Sequence, residues 1–490
     1  MAQTVGAHIR RLVRHSAVYG IGHILTRSLG FLLLPLYTNT IPTAEYGKAA
    51  LVFSFLAIMN VFYGYGMDVA FLRYVALQDD ERKQKELFST GFLSILISST
   101  VFSLFLLLFV RQVSLGVFGT PNEETLIRFA AGILFFDALG LMPFMALRAK
   151  EKSVPFTLLK LANVTINVAA NVLFIVGLHE GVVGIFKANL LASGLTFLLL
   201  APVWGKFFIP RFDRRIYREM LRFGLPYIPS GLAVVIMDLI DRFLLERMTD
   251  LSTTGIYSAG YKLGMFMALF IAAFRFAWHP FFLSTSRQPN AKRVFARVLT
   301  YFVLACSAVF LVISLFIGEI VRFRIFGYTL FGESYWGGTR IVPLILISYV
   351  FYGVYVNFLV GVYLEKKTHW LPAITGISAG VNVLANLLLI PRIGMMGSAW
   401  ATVLAYATMA VLLYRRVSRI YPVAYEWGRV AKAAGGALFL FLAQEYVFAF
   451  RSPLLKLVLI LSYPVLLWLL GFLDREEKRR LRALVMGGER

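Results

Sequence analysis

The feature that most constrains this chain is a succession of apolar runs, each about twenty residues long, joined by short polar connections. A bilayer core of ~30 Å needs about 20 such residues in one helix, and a window of that width finds about fourteen runs. Their approximate limits are 16–37, 48–72, 88–110, 126–147, 154–176, 183–204, 224–248, 254–282, 298–318, 340–363, 371–391, 395–414, 430–450 and 454–473. None alternates apolar and polar residues with period two, so helices are expected and barrel strands are not. A soluble fold fails for want of surface. Of 490 residues 59% are hydrophobic and 15% charged, against roughly a quarter charged in a soluble domain. The fold class expected is an all-α polytopic membrane protein with about 14 transmembrane helices. Disorder, coiled coil and a disulfide scaffold are excluded as well. The single cysteine, Cys306, lies in the run VLACSAVFLV and reads as a small packing residue.

A net charge of +23 would suit nucleic acid if the cations formed one patch. They do not. With Arg10, Arg11 and Arg14 placed in the cytoplasm, 33 of the 49 Lys and Arg fall on that side, spread over eight short segments, and ten on the other. The positive-inside rule then puts both termini in the cytoplasm, in a multi-pass protein of the cytoplasmic (inner) membrane, and no nucleic-acid partner is expected. The first run is interrupted by Arg27 and lacks an A-x-A-like site, so it is expected to stay as a helix. Between 205 and 222, Phe212, Ile216, Met220 and Phe223 recur at helical spacing among Arg211, Arg214, Arg215, Arg218 and Arg222. That pattern reads as an amphipathic helix on the cytoplasmic surface or as a solvated basic linker.

Two stretches echo each other. Lys152–Ser153, Asn167 and Asn171 reappear as Lys367–Thr368, Asn382 and Asn386, each displaced by 215 residues. Gly184 matches Gly397, and Tyr46 in AEYGKA loosely matches Tyr257 in GIYSAG. A repeat of about six helices has an even number of crossings, so both copies keep one orientation about an axis along the membrane normal, an arrangement common in transporters. The expected organisation is a first lobe over 1–204 (helices 1–6), a cytoplasmic interfacial linker over 205–223, a second lobe over 224–414 (helices 7–12), and helices 13–14 with a basic cytoplasmic tail over 415–490.

An ionisable side chain in hydrocarbon costs at least ~2.5 kcal/mol, so each is a functional candidate. Those near mid-membrane are Arg27, Asp68, Asp137, Lys160, Asp238, Asp241, Arg242, Lys262 and Arg275. Arg27, Lys262 and Arg275 suit a phosphate or pyrophosphate head group, Arg through forked hydrogen bonds and Lys as a point charge. Tyr257 and Tyr261, with Tyr63 and Tyr65, are candidates for stacking on sugars, or for interfacial belts. Asp68, Asp137, Asp238 or Asp241 could bind a coupling cation or latch a cavity. The simpler alternative is that Asp238 and Arg242, four apart on one face, neutralise each other. The asparagines Asn163, Asn167 and Asn171, and the pair Asn382 and Asn386, fit helix–helix hydrogen bonding.

Signatures of catalysis are lacking. There is no Walker A loop and no HExxH helix, and the six histidines show no metal-ligand spacing. Gly376-Ile377-Ser378-Ala379-Gly380 fits G-x-S-x-G but lies inside an apolar run rather than on a strand–turn–helix. Its glycines are expected to form a helix-packing face instead. The chain is therefore not expected to be an enzyme, and its longest outer loop, about fifteen residues, is short for a membrane-embedded glycan polymerase or ligase.

At this point the blocks TRSLGFLLLPLYTNTIPTAEYG (26–47), GMDVAFLRY (66–74), DLIDRFLLERMTDLSTTGIYSAGYKLG (238–264) and NVLANLLLIPRIGMMGSAWAT (382–402) resemble oligosaccharide (O-antigen, polysaccharide repeat-unit) flippases of the multidrug/oligosaccharidyl-lipid/polysaccharide exporter superfamily. The resemblance spans residues 10–415. It implies a two-lobed, V-shaped helical bundle that turns undecaprenyl-pyrophosphate-linked glycans across the membrane by alternating access. Coupling would be to H+ or Na+, with no other cofactor, and the protein would act as a monomer among membrane lipids. Arg27 matches a cavity arginine of the related lipid II flippases, which carry a second arginine where this chain has Leu33. Drug-exporting relatives favour acidic cavities in the first lobe. A lipid II flippase and a cation-coupled drug antiporter are thus the alternatives to an oligosaccharide flippase.

Overall fold

The computed structural model describes residues 31–325, 327–448, 452–474 and 477–478. These residues are helical almost throughout, as the uninterrupted apolar runs require, with one short hairpin, Arg324–Ile325 against Tyr328–Thr329. Ten of the helices are long and apolar enough to cross a bilayer, or eleven when the pair Arg214–Gly224 and Tyr227–Met248, bent by 43°, is taken as one span. Fourteen spans are thus not reached among the described residues. The run at 16–37 lies largely outside them. The last two runs form helices of 17 residues each, Trp427–Ala443 and Pro453–Leu469, with a π-turn over Gln444–Phe448 after the first.

The chain packs as two compact units. One comprises the described residues up to Lys262, Ile325–Gly338 and Pro372–Ala405; the other Leu263–Arg324, Thr339–Leu371 and the described residues from Tyr406 onward. In the first unit, helices Thr43–Gly64, Glu81–Leu108, Glu124–Ala149, Ser153–Asn171 and Gly181–Leu199 pack together around fully buried Leu51, Phe88, Leu134 and Phe186. In hydrocarbon such helices gain no hydrophobic drive, so close approach of small residues and interhelical hydrogen bonds carry the packing. Both are present. A Cβ on Gly47 would stand 2.0 Å from the carbonyl oxygen of Leu251, and one on Gly255 would stand 2.0 Å from that of Thr43. The two helix starts therefore touch backbone to backbone. Asn163 donates to the Thr196 hydroxyl at 2.9 Å. Segment Ile325–Gly338 is tied down by Asn39 Nδ2 donating to the Thr329 carbonyl (2.7 Å), Gly332 N donating to Thr38 Oγ1 (3.0 Å) and the Tyr335 hydroxyl donating to the Ile41 carbonyl (2.7 Å).

The second unit is built on the 32-residue helix Ala291–Arg322, which packs against Val342–Leu364 and Trp427–Ala443. Cys306 is fully buried within it and free. The repeat also shows in backbone geometry. Glu151 (φ 53°) and Lys366 (φ 55°) both adopt the left-handed conformation. Lys152 N donates to the Leu147 carbonyl at 2.9 Å, and 215 residues on Lys367 N donates to the Val362 carbonyl at 2.9 Å. The basic segment after residue 205 forms the helix Arg214–Gly224, capped by the Asp213 carboxylate, which accepts from Arg215 N and Ile216 N.

Candidate transport site

A buried polar cluster in the first unit lies on helix Tyr227–Met248. Asp241 and Arg242 are 1% and 5% exposed. One guanidinium nitrogen of Arg242 donates both to the Asp241 carboxylate, at 2.5 Å, and to the backbone carbonyl of Asp238. Helix Leu251–Gly264 brings the Tyr257 hydroxyl to the other carboxylate oxygen of Asp241. Arg242 also lies 4.2 Å from the ring centroid of Tyr261, and Thr402 bonds the Tyr257 hydroxyl. Two buried charges cost several kcal/mol each to desolvate, and only such complete hydrogen bonding repays them. Asp238 takes part through its backbone, so the four-residue spacing is used, but the carboxylate paired with Arg242 is that of its neighbour. Tyr257 and Tyr261 are 0% and 3% exposed, so neither ring face is open to a sugar in this conformation.

Lys262 follows directly but belongs to different surroundings. Its ammonium lies 5.4, 5.8 and 6.0 Å from the ring centroids of Tyr46, Tyr37 and Phe53. No carboxylate pairs with it among the described residues, and residues 1–30 contain neither Asp nor Glu. Ring faces attract a cation by about 0.5–2 kcal/mol, less than an ion pair would supply.

In the second unit, Arg275 is exposed and donates to the Tyr352 hydroxyl at 3.0 Å. Tyr352 in turn stacks on Tyr355, with centroids 6.2 Å apart, and meets Tyr406 at 5.4 Å. One turn further along, His279 lies 5.0 Å from both Phe282 and Tyr363. Helices Phe266–Thr285 and Val342–Leu364 contain no acidic residue. Arg275 thus has four of its five N–H donors beyond the Tyr352 bond and no carboxylate partner among the described residues. In the sequence His279 is weighed only as a metal ligand and this tyrosine cluster is passed over; the spacing Arg275–His279 (i, i+4) and the repeated tyrosines of YVFYGVYVNFLVGVYL are the available signals.

The remaining candidates are scattered. Asp137, mid-helix and exposed, accepts from Ser193 Oγ at 2.7 Å and is near enough to Lys160 for charge coupling. Lys160 itself lies 4.1 Å over the Phe144 ring. Asp68 occupies the first turn of helix Met67–Ala76, where a carboxylate meets the positive end of the helix dipole. Tyr63 and Tyr65 are buried and bond Ser103 and Ser94. Arg27 lies outside the described residues. Among those residues no group of His, Cys, Asp and Glu is arranged to hold a metal ion.

Residues 12–286 match the family described as "Polysaccharide biosynthesis protein". An uncharacterized membrane protein of Haemophilus influenzae is 20% identical over 289 residues, covering 57% of this chain and 67% of that protein. The structure of the lipid II flippase MurJ in an inward closed conformation superposes with a TM-score of 0.73 at 15% identity, covering 93% of this chain and 98% of that one. An inward-facing multidrug resistance MATE family transporter of the MOP superfamily superposes with a TM-score of 0.60 at 15% identity, covering 81% and 96%. The fold is the one these transporters share.

Proposed function

The chain belongs to the polysaccharide biosynthesis protein family, and from that premise we propose that it is a flippase for an undecaprenyl-pyrophosphate-linked oligosaccharide in the cytoplasmic membrane. One observation carries the reading: Lys262 and Arg275 are cations within apolar spans, cradled by aromatic rings and a tyrosine hydroxyl, with no carboxylate partner among the described residues. A cation in hydrocarbon needs a counter-charge or water. A diphosphate bridging sugar and lipid supplies such a counter-charge to either cation, and in the second unit Tyr352 beside Arg275 offers a ring and a hydroxyl for the adjoining sugar. Arg27 is a further candidate for the same role by its position in the sequence.

The acidic residues divide by role. Asp241, already satisfied by Arg242 and Tyr257, acts as a latch on helix Leu251–Gly264. Asp137, exposed with one serine bond and a nearby lysine, is the candidate for the coupling proton or Na+. Asp68 sits in the first turn of its helix, and Asp238 lends Arg242 its backbone carbonyl. The internal repeat supports alternating access between the copies, with both termini in the cytoplasm and the prenyl tail left in lipid.

The test uses proteoliposomes containing a fluorescent lipid-linked oligosaccharide and measures its transfer between leaflets. Arg275→Ala at unchanged protein density is expected to reduce transfer by at least tenfold, as loss of one charge-assisted contact worth about 1.5–3 kcal/mol implies. Transfer at the unaltered rate would remove the head-group role. Export of cationic dyes insensitive to Arg275 and abolished by Asp137→Asn would favour the antiporter instead.

A further inference from the structure

We propose that a lysine-lined cavity in the first unit, separate from the residues assigned above, binds a phosphoryl anion. The cavity measures about 220 Å³, and Lys85, Lys150, Lys152 and Lys206 line it with Gln84 and a single carboxylate, Glu81. Three chain segments contribute: the start of helix Glu81–Leu108, the turn after Glu124–Ala149, and the end of Ala201–Phe207. Phe207, buried against the Phe88 ring at 5.8 Å, closes one side.

Lysines at membrane edges ordinarily spread outward into water and head groups. Here they converge, and three features hold them so. Lys150 Nζ donates to Gln84 Oε1 at 2.6 Å, and the Gln84 amide nitrogen is itself bonded to the Gln78 carbonyl. The left-handed Glu151 (φ 53°) reverses the chain between Lys150 and Lys152, so both reach one space. A further carboxylate on the same helix, Glu86, is taken by Arg211 at 2.6 Å and Arg82 at 3.7 Å. None of the four lysines pairs with a carboxylate among the described residues. Four ammonium groups around one recess repel each other, and an anion seated among them turns that repulsion into attraction. The equivalent turn in the second copy carries Glu365 in place of Lys150, so the basic set belongs to one half of the repeat.

Phosphoryl groups on this face have two sources, a phospholipid head group and a soluble phosphate, and basic recesses beside membrane helices suit either. The full chain in zwitterionic nanodiscs is titrated with inorganic pyrophosphate while its Tm is followed. In parallel, nanodiscs containing phosphatidylglycerol are compared for Tm and for lipid retained in native mass spectra. The Lys150→Gln/Lys206→Gln double variant is expected to weaken the Tm response to the effective ligand roughly tenfold or more in midpoint concentration, and Lys366→Gln/Lys367→Gln in the equivalent turn to leave it unchanged. A response confined to pyrophosphate assigns a soluble anion; one confined to phosphatidylglycerol assigns a head group. Equal responses in wild type and the Lys150/Lys206 variant, or none in either arm, overturn the site. Its Tm without ligand is expected to match or exceed wild type, because repulsion is relieved. Should it fall instead, the exposed single change Lys206→Gln replaces it in the same comparison.

Discussion

Asn386 donates its side-chain amide to the backbone and side-chain oxygens of Asn382, at 2.9 and 3.2 Å, and 215 residues earlier Asn171 does the same to Asn167, at 2.8 and 2.8 Å. Each ladder is then capped by a hydroxyl from another helix. Tyr37 donates to Asn171 Oδ1 at 2.9 Å, and Ser398 donates to Asn386 Oδ1 at 2.8 Å. All four asparagines are buried. Replacing Asn171 or Asn386 with Leu strands a buried hydroxyl, at a cost of about 1–3 kcal/mol. A lower Tm in detergent is expected for each variant. The Tyr37→Phe/Asn171→Leu pair should recover the part of the loss due to the stranded Tyr37 hydroxyl, while Asn167 Oδ1 still lacks its donor.

These ladders mark how far the sequence could be read. Their spacing, and the Lys152/Lys367 turn, needed only recurrence along the chain. The helices followed from hydrophobic run length, which is a local property. Partner choice at the site was not local. Asp238 and Arg242 share a face, yet Arg242 pairs with Asp241 because helix Leu251–Gly264 crosses there and presents Tyr257 and Tyr261. The ring of aromatics around Lys262 draws on Tyr37, Tyr46 and Phe53, more than 200 residues away in sequence. Arg275 was legible as a charge in an apolar run, but its tyrosine partner and neighbouring His279 depend on how two helices lie side by side.

The Asp241–Arg242 pair should behave as a unit. Arg242→Met leaves a buried carboxylate uncompensated and is expected to destabilise by about 3–5 kcal/mol. Asp241→Asn/Arg242→Met removes both charges and should return most of that stability. Thermal unfolding of the two variants side by side checks the coupling. Additive losses would mean the two charges are not linked.

Gly66 should tolerate no side chain. Its φ is 75°, and an added Cβ would lie 2.2 Å from the Gly224 carbonyl oxygen. That contact joins the break after helix Thr43–Gly64 to the bend before Tyr227–Met248. Gly66→Ala must both strain the backbone, by about 1–2 kcal/mol, and push the two breaks apart. Reduced folded yield and a lower Tm are expected, whereas Gly116→Ala, which meets nothing within 4 Å, should be silent.

The C-terminal segment should loosen in acid. Burial raises the Glu477 carboxyl's pKa, but the Tyr301 hydroxyl, the Asp474 N–H and Arg429 together outweigh burial and hold it below the usual carboxylate range. The Arg429–Glu477 bond is 2.8 Å. A carboxyl whose folded pKa is depressed contributes stability above its unfolded value, about 4.3, and loses that contribution as pH falls through the folded value. Hydrogen exchange at Asp474 and Glu477 is expected to be slow at neutral pH and to gain extra opening below about pH 4. Glu477→Gln should open equally at both.

Lys262 gives the sharpest separation of stability from function. Its half-buried ammonium faces three rings and no carboxylate among the described residues, so keeping the charge within an apolar span costs more than the rings return. Lys262→Met keeps all but the last atom of the side chain's length, removes the ammonium and leaves a thioether that packs well against aromatic rings. The variant is therefore expected to unfold at a higher temperature than wild type, by an amount equivalent to about 1 kcal/mol. If the charge is kept for a diphosphate, the same variant should lose transfer of a lipid-linked oligosaccharide between leaflets, and Lys262→Arg should retain part of it. Measured together, a rise in Tm with loss of transfer identifies a residue selected for its ligand at the expense of the fold. A fall in Tm would instead make Lys262 a structural pillar of the aromatic cluster, and its place in the transport site would have to be given up.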